Sequence, residues 1–428
     1  MTTTTDWLDG TAVPPHWDVR PLKRLGTVTL GKMLQAENKG SDLLMPYLRA
    51  ANVQPDGALA TEDLKSMWFS KFERSMLDLR AGDVVVVEGG IGGYGRAAYV
   101  PDDRLSGWGF QNSINRIRPG SDTDGRFLTY ALLAIRALGF IKAYCNVVSM
   151  PHLTAEKLAS LPVPVPPFDE QQIIADFLDH ETAQIDALVV KQEEFIALLR
   201  ERRNIAITNI LSRSQPEGHM PDKLHRRTRM GNGSTPRSDE ERYWVGGTIP
   251  WVNSSVVNQA EVHESSRLVT EAAVRECHLP IVRKGSILVA LTGQGKTRGA
   301  ATILRIDSTI NQHLAFIEPD PRFWMPEYLL WLLRSNYEHL RQISSENGAT
   351  KGGLTVADLR ALRLAMPTVE EQRRLLAEVE ATTARTNALI AKTEEHIALT
   401  KERRAALITA AVTGQFDVHA AANTQKAG

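Results

Sequence analysis

Several features that are common in enzymes and membrane proteins are missing from this sequence of 428 residues. No apolar run approaches the roughly 18–20 residues that a membrane-spanning helix needs, so we expect no membrane contact. The two cysteines, Cys145 and Cys277, lie far apart and outside any CxxC pattern. This usage indicates a reducing, cytoplasmic compartment and argues against a cysteine zinc site. The histidines are scattered without an HExxH motif, and we predict no metal site.

An excess of positive charge is also missing. The chain has 50 Lys and Arg against 50 Asp and Glu, which gives a net charge of +0. No segment is a polycation. If the chain binds nucleic acid, we expect local patches or a basic partner to hold it, not bulk attraction.

A complete catalytic motif is missing as well, although one glycine-rich stretch imitates a phosphate loop. Gly295-Lys296-Thr297 ends a relaxed P-loop pattern after a strand-like run. A phosphate loop must open a helix, whereas the following segment, residues 298–306, is short and rich in β-branched residues. A nucleotide-driven enzyme that uses Gly295-Lys296-Thr297 therefore remains only an alternative.

A second stretch imitates a dinucleotide-binding loop. Gly90, Gly92 and Gly95 satisfy GxGxxG, but no helical pattern follows them. Both loops are better interpreted as a strand, a flexible loop with basic residues, and another strand. Such a loop can bring backbone amides and cations close to a phosphate backbone or a groove. We predict no catalytic residue.

One long helical pattern occurs twice. The segment Asp169–Ser212 returns at a constant offset, as in Glu170 and Glu371 (371 − 170 = 201) or Arg203 and Arg404 (404 − 203 = 201). A proline run precedes the first copy, and Asp169 is its predicted N-cap. Shorter matches before each copy have drifting offsets. Two globular domains therefore alternate with two helices.

These repeats predict five segments. They are a first globular domain at 1–157, a central helix at 158–214, a second globular domain at 215–358, a C-terminal helix at 359–415, and a tail at 416–428 that is expected to be disordered.

Apolar positions in both helices recur at spacings of four and three, which is typical of a coiled-coil seam. The seam residues are Ile185, Val189, Gln192, Ile196, Leu199, Arg203, Ala206 and Ile210, then Thr386, Ile390, Thr393, Ile397, Thr400, Arg404, Leu407 and Ala411. Each helix would be a rod of roughly 65 Å. Because several seam positions are polar, we expect the two rods to pack against each other.

Aromatic, amide and basic residues interleave at matching places in both globular domains. Arg, Lys, Asn and Gln are the side chains that can contact base edges in pairs of hydrogen bonds. The candidate DNA-binding residues are Arg49, Asn52, Trp68, Lys71, Arg74, Tyr94, Arg96, Gln111, Asn112, Arg116, Arg237, Asn253, Ser254, Gln294, Lys296, Arg298, Asn311, Gln312 and His313.

The ordered, duplicated set of motifs resembles the specificity subunit of Type I restriction-modification systems over essentially the full length. The strongest motifs are the two segments in which prolines, Glu-Gln, a long helix and Glu-Arg-Arg follow one another. The others are HWDVRPLKRLG at His16–Gly26, PYLRAANV at Pro46–Val53, GDVVVVEGG at Gly82–Gly90, GSTP at Gly233–Pro236, IPWVNSS at Ile249–Ser255 and INQHLAF at Ile310–Phe316.

The resemblance implies an α+β fold: two mixed α/β target-recognition domains joined by two long antiparallel helices. It implies a non-catalytic subunit of a prokaryotic cytoplasmic complex that reads a bipartite double-stranded DNA target. Two methyltransferase subunits would dock on the helices and restriction-translocase subunits would join them. Those partners would carry S-adenosylmethionine, ATP and Mg²⁺. Glu193, Glu194, Glu394 and Glu395 are the candidate docking residues. A scaffold that has lost DNA reading is a further alternative.

Overall fold

The computed structural model describes residues 6–7, 11–90, 93–145, 152–213, 221–293, 296–346 and 353–421. The chain forms two compact units. The first contains residues 1–193 and 394–428, and the second contains residues 194–393. Both boundaries fall inside a long helix. Each long helix therefore contributes part of its length to each unit, whereas the sequence pattern predicted boundaries at the ends of the helices.

Eleven short strands lie in the described part of the first unit. They are β1 (Asp6–Trp7), β2 (Thr11–Ala12), β3 (Asp18–Pro21), β4 (Gly26–Leu30), β5 (Leu43–Leu48), β6 (Lys65–Phe69), β7 (Val84–Val87), β8 (Ala97–Tyr99), β9 (Gly109–Phe110), β10 (Ile114–Pro119) and β11 (Pro162–Val165). The main sheet has the order β4-β10-β7-β8, and a second sheet has the order β6-β5-β9. Strand β7 is buried on both faces, as its run of valines predicts.

The helices that begin in the first unit follow from capping and periodicity. They are α1 (Lys71–Met76), α2 (Gly125–Ala137), α3 (Phe140–Tyr144), α4 (Ala155–Ser160) and α5 (Phe168–Ser212). Asp124 caps α2 by accepting hydrogen bonds from the N–H groups of Arg126 and Phe127. The apolar face of α2 then packs into the largest core of the unit.

The second unit repeats this order of elements. Its strands are β12 (Asp222–Lys223), β13 (Thr228–Asn232), β14 (Ile249–Val252), β15 (Glu261–Val262), β16 (Arg267–Val269), β17 (Ile287–Ala290), β18 (Ala301–Leu304), β19 (Thr309–Ile310), β20 (Leu314–Pro319) and β21 (Arg363–Leu364). Its helices are α6 (Glu271–Glu276), α7 (Pro326–Ser335), α8 (Tyr337–Glu346), α9 (Val356–Ala361) and α10 (Val369–Val412). The sheets have the orders β13-β20-β17-β18-β15 and β16-β14-β19.

The two long helices confirm the predicted duplication. Helix α5 begins at Phe168, one residue before the predicted cap. The Pro167 carbonyl accepts the N–H of Gln171, so Pro167 precedes the first turn and Asp169 lies within it. The N-cap prediction for Asp169 was therefore wrong. Its carboxylate still lies near the positive end of the helix.

The predicted seam is confirmed by burial, because all sixteen of its positions are buried or half-buried, while most residues between them are exposed. Polar seam residues pair within each unit. In the first unit Arg404 Nη2 donates to Asp186 Oδ2 at 3.1 Å. In the second unit Arg203 Nη1 donates to Asn387 Oδ1 at 2.6 Å. Both members of the second pair lie 201 residues from their counterparts (404 − 203, 387 − 186). The repeat therefore extends to side-chain contacts.

The end of the chain packs on the first unit. Phe416 stacks on Phe177 with ring centroids 5.5 Å apart, and Val418 is buried in the same core as Val13 and Trp17. The tail predicted to be disordered is thus packed as far as residue 421, and residues 422–428 lie outside the described part of the chain. Among the helices that the structure describes, none combines the length and the hydropathy that crossing a bilayer requires.

Candidate nucleic-acid interface

One edge of the three-stranded sheet in the second unit gathers several predicted residues. Strands β14 and β19 run parallel, with Val252 opposite Ile310, so Asn253 and Asn311 leave the sheet at the same edge. Strand β16 runs antiparallel to β14 and begins at that edge with Arg267. The topology therefore brings together side chains that are up to 58 residues apart in sequence (311 − 253).

An open cleft of about 510 Å³ lies at this edge. Its lining is neutral and polar: Asn253, Ser254, Ser255, Asn258, Thr292, Gly293, Thr297, Asn311 and His313. Four of these were predicted from the sequence. Thr292 and Thr297 come from the glycine-rich stretch, on either side of residues 294–295, and both line the cleft. A surface of amides, hydroxyls and an imidazole suits hydrogen bonding to base edges.

Hydrogen bonds hold the side chains of the cleft. Asn253 Oδ1 accepts from the N–H of Ser255 at 3.0 Å and from its hydroxyl at 2.6 Å. The His313 Nδ1 lies 2.8 Å from the Thr292 hydroxyl. The buried Asn311 uses its side-chain oxygen to accept the N–H of His313 at 3.1 Å. Asn311 therefore shapes the turn, while Asn253 and His313 border the open space.

The first unit has an equivalent sheet edge. Strand β5 runs parallel to β9, with Leu48 opposite Phe110, so Arg49 and Gln111 leave the sheet together. Asn112 follows, and Lys65 begins the antiparallel β6 at the same edge. The Arg49 guanidinium is paired with Asp63 at 2.6 Å. This edge is therefore more charged than that of the second unit.

Two predicted residues of the first unit are buried in the fold. Asn52 accepts the N–H of Arg49 and donates to the Ala60 carbonyl. Arg116, which is 4% exposed, donates to the Asp78 carbonyl at 2.7 Å. Burial lowers the pKa of Arg116. Both side chains therefore hold the fold together and are not exposed to a ligand.

The remaining predicted residues of the first unit fall into two groups. Trp68 lies near the far end of β6, three strand residues or ~10 Å from Lys65, and Lys71 and Arg74 follow on α1. Tyr94 and Arg96 lie on the loop after β7 and are half-buried. The Arg96 guanidinium reaches the Val53 carbonyl, next to the 3₁₀ turn that follows β5.

The other predicted residues of the second unit surround the cleft. Gln312 is exposed and accepts a hydrogen bond from the Thr235 hydroxyl. Arg237 is exposed but paired with Asp239 at 2.8 Å. Lys296 is exposed, and Arg298 is half-buried beside α8. Gln294 lies outside the described residues.

Sequence reasoning missed Lys65 and Arg267. They occupy the same position in the two units, because Lys65 pairs with Tyr47 and Arg267 pairs with Trp251 across the β-ladder. Tyr47 and Trp251 belong to matching motifs, Pro46–Val53 and Ile249–Ser255. In both units the basic residue follows the aromatic residue of the motif by about 16–18 positions (65 − 47, 267 − 251). That spacing was visible in the sequence, but only the strand register shows that the two residues are paired.

Among the described residues, the backbone after Thr297 does not suit a phosphate loop. A turn leads from Thr297 directly into strand β18, and no helix follows that turn. The loop after Gly95 likewise enters strand β8. The nucleotide-driven alternative is therefore not favoured.

The candidate docking glutamates, Glu193, Glu194, Glu394 and Glu395, are exposed on the long helices. Glu193 Oε1 lies 3.5 Å from Lys401 Nζ. Large apolar side chains are exposed nearby at two duplicated positions, Leu188 with Leu389 and Leu198 with Leu399, each 201 residues apart.

Residues 14–194 and 229–399 each match the family described as Type I restriction modification DNA specificity domain. The chain belongs to this family. Two copies of the domain account for both globular regions and most of both long helices. The resemblance based on sequence motifs and the α+β fold with two linking helices are thereby confirmed.

Curated relatives of this specificity-domain protein are distant. It is 24% identical over 283 residues to the Type I restriction enzyme EcoBI specificity subunit of Escherichia coli, covering 60% of this chain and 58% of that one. It is 21% identical over 391 residues to the MjaIX specificity subunit of Methanocaldococcus jannaschii, covering 83% and 84%. The chain spans only 39% of the length of a further relative, the EcoR124I/EcoR124II specificity subunit of Escherichia coli.

A solved structure supports the fold. A chain from a structural study of complex assembly and conformational transition of the type I R-M system superimposes with a TM-score of 0.70 at 18% identity. The match covers 94% of this chain and 99% of that one.

Proposed function

We propose that this specificity-domain protein is the non-catalytic subunit that gives a Type I restriction-modification enzyme its DNA sequence specificity. The observation that carries the proposal is the duplicated sheet edge. In both units the ends of two parallel strands and the start of a third strand collect amide and basic side chains. Side chains of these types can read base edges, whereas the described residues form no cluster that could hold a metal ion.

The proposed DNA-contacting set is narrower than the set predicted from the sequence. In the first unit it comprises the exposed or half-buried Arg49, Gln111, Asn112, Arg96, Tyr94, Trp68, Lys71 and Arg74. In the second unit it comprises Asn253, Ser254, Gln312, His313, Arg237, Lys296 and Arg298. Each unit would read one half of a bipartite double-stranded target.

The long helices would set the gap between the half-sites. A spacer must keep a fixed length, and the constant offset of 201 residues along both helices supports that role. The helices would also dock two methyltransferase subunits, with restriction-translocase subunits completing a cytoplasmic complex. S-adenosylmethionine, ATP and Mg²⁺ would bind in those partners.

Docking would use apolar as well as acidic residues. Protein interfaces are built around large desolvated anchors, with charged residues at the rim. The exposed leucines at 188, 198, 389 and 399 supply such anchors twice, close to the four glutamates. Two equivalent docking surfaces fit two copies of the same partner.

A domain exchange tests the proposal. Residues 1–157 are replaced by the matching domain of a relative with a different target, and the methylome of a host that also makes the methyltransferase subunit is sequenced. We expect one half-site to change while the other half-site and the gap are retained. A change in both half-sites contradicts independent readers. Methylation that requires this chain but follows no sequence would instead identify a docking scaffold.

A further inference from the structure

An arginine stacked on tryptophan stands at the sheet edge of the second unit. The guanidinium carbon of Arg267 lies 3.8 Å from the centroid of the Trp244 ring and 5.2 Å from that of Trp251. The backbone of Arg267 is held as well, because its N–H donates to the Ser265 hydroxyl at 3.3 Å. That hydroxyl can donate to the carbonyl of Trp251 at 2.6 Å or to that of Arg267 at 2.9 Å. Stacking holds a guanidinium plane in one orientation and leaves the N–H groups on its rim able to donate.

The aromatic platform beneath Arg267 is anchored to the backbone. Trp244 and Trp251 meet edge to face, with centroids 5.3 Å apart and ring planes at 89°. Trp251 is 3% exposed, and its indole N–H donates to the Ser234 carbonyl at 3.2 Å. The indole N–H of Trp244 donates to the Arg237 carbonyl at 2.9 Å. Both rings of the platform are therefore fixed to the backbone by hydrogen bonds within the protein.

The charge of Arg267 is not neutralised within the described part of the chain, where its exposed side chain forms no ion pair. Other exposed arginines of the unit are neutralised by nearby carboxylates: Arg237 by Asp239 at 2.8 Å, Arg242 by Glu276 at 2.9 Å and Arg322 by Asp320 at 2.7 Å. Arg267 thus keeps its donors and its charge for a ligand.

The ligand is identified by geometry and by neighbouring groups. Two parallel N–H groups of a guanidinium match O6 and N7 of guanine in the major groove. The same sheet edge carries Asn253 and the neutral cleft, which suit base edges more than a row of phosphates. We propose that Arg267 reads a guanine in the half-site recognised by the second unit, an inference that rests on the DNA-reading function proposed above.

The equivalent position in the first unit differs in chemistry. Lys65 stands opposite Tyr47, as Arg267 stands opposite Trp251. A lysine ammonium is a point charge without the planar set of donors that a guanidinium has. Among the contacts that the structure describes, no aromatic ring stacks on Lys65. Guanine recognition by a stacked guanidinium is therefore assigned to the second half-site alone.

The test uses the full chain assembled with its methyltransferase subunits. The target is first defined by methylome sequencing, and affinity is then measured by fluorescence anisotropy on duplexes that contain it. Each guanine of the second half-site is replaced singly by 7-deazaguanine, which lacks the N7 acceptor. For the wild type we expect one replacement to weaken binding about 3- to 10-fold, because the O6 acceptor remains and only one of the two hydrogen bonds is lost.

Two variants remove the guanidinium of Arg267. Arg267→Ala and Arg267→Met, the second of which keeps an apolar stem over the indoles, should bind the unmodified target about 10- to 100-fold more weakly and be insensitive to that replacement. Arg275→Ala is the matched control. It removes an exposed arginine of α6 that has no ion pair among the described residues, and it should bind like the wild type.

Three results would overturn the inference. They are a second half-site without guanine, unchanged discrimination in both Arg267 variants, and uniform weakening on all sequences with the salt slope reduced by about one, which marks a phosphate contact. If the wild-type complex does not distinguish its target from a scrambled duplex, both the proposed function and this inference are refuted. If the wild type does distinguish the two duplexes and the Arg267 variants do so equally well, only the inference about Arg267 is refuted.

Discussion

Gln171 and Gln372, 201 residues apart (372 − 171), make the same hydrogen bonds from the first turns of the two long helices. The buried side chain of Gln171 accepts the N–H of Asp124 at 2.9 Å. Its amide nitrogen donates to the carbonyls of Pro166 at 2.9 Å and Asp122 at 3.2 Å. One side chain thus ties α5 to the loop that opens α2 and to the strand before α5.

Gln372 repeats each contact in the second unit. It accepts the N–H of Met325 at 2.8 Å and donates to the carbonyls of Pro367 at 2.9 Å and Phe323 at 2.7 Å. Both amides are at most 1% exposed. The Glu-Gln motif that reveals the repeat therefore attaches each specificity domain to its long helix.

The first prediction concerns this attachment. Gln171→Leu removes the partner of the buried Pro166 carbonyl and of two part-buried backbone groups. A buried polar group without a partner costs about 1–3 kcal/mol, so we expect the free energy of unfolding to fall by ~2 kcal/mol. Urea unfolding measures the loss. Gln172→Leu changes an exposed neighbour and is the control. Equal stability of the two variants would contradict the role given to Gln171.

The second prediction concerns Glu88, at the start of the glycine-rich loop of the first unit. Burial raises the pKa of Glu88, and the charge of His152 opposes this rise. The contribution of Glu88 to stability is therefore complete below the pKa of glutamate in the unfolded chain, about 4.3. It is lost as the pH rises through the pKa of Glu88 in the folded protein.

The Glu88→Gln variant should accordingly match the wild type near pH 4, with about equal free energies of unfolding, and exceed it at pH 7. Denaturation by urea across this pH range provides the measurement. Glu62→Gln removes an exposed carboxylate and should show no such trend. If the wild type were more stable than Glu88→Gln at pH 7, the pKa of Glu88 would be lowered on folding and not raised.

The third prediction concerns the helices as a spacer. Four residues inserted after Leu199 and at the equivalent position after Thr400 add about 6 Å to each helix, or nearly two base pairs at roughly 3.4 Å each. We expect the gap in the methylated target to grow by one or two base pairs, with both half-sites unchanged. Methylome sequencing that finds the original gap would refute the spacer role.

The fourth prediction concerns docking. Leu188→Glu or Leu389→Glu places a charge at an exposed apolar position of the long helices, where exposures are 44% and 43%. Loss of a central anchor costs about 2 kcal/mol or more, so affinity for the methyltransferase subunit should fall roughly 30-fold while the melting temperature is retained. Ala187→Glu adds the same charge at an adjacent exposed position and should bind normally. Normal binding by both leucine variants would exclude these positions as anchors.

The helices were predictable because their periodicity is local. Burial along α5 follows the spacing of apolar residues, and the predicted segment Asp169–Ser212 differs from the observed one only at its first residue. That single error arose because the carbonyl of Pro167, and not an acidic side chain, opens the helix.

The sheet edges were only partly predictable because they depend on register between strands far apart in sequence. Asn253 and His313 were recognised by residue type, yet the same criterion selected Arg116, whose donors hold the fold together. Arg267 was missed because nothing local reveals that Trp244 lies beneath it. Residue type suggests chemistry, whereas exposure and neighbours are set by the tertiary fold.

The division of the long helices has a consequence for the order in which the chain folds during synthesis. The second unit, residues 194–393, is continuous and can close as soon as its last residue leaves the ribosome. The first unit cannot, because Ile408, Val412 and Val418 complete the core that contains Trp17. The first unit is therefore completed only after the second, and a chain truncated before Ile408 would have a damaged first unit beside an intact second unit.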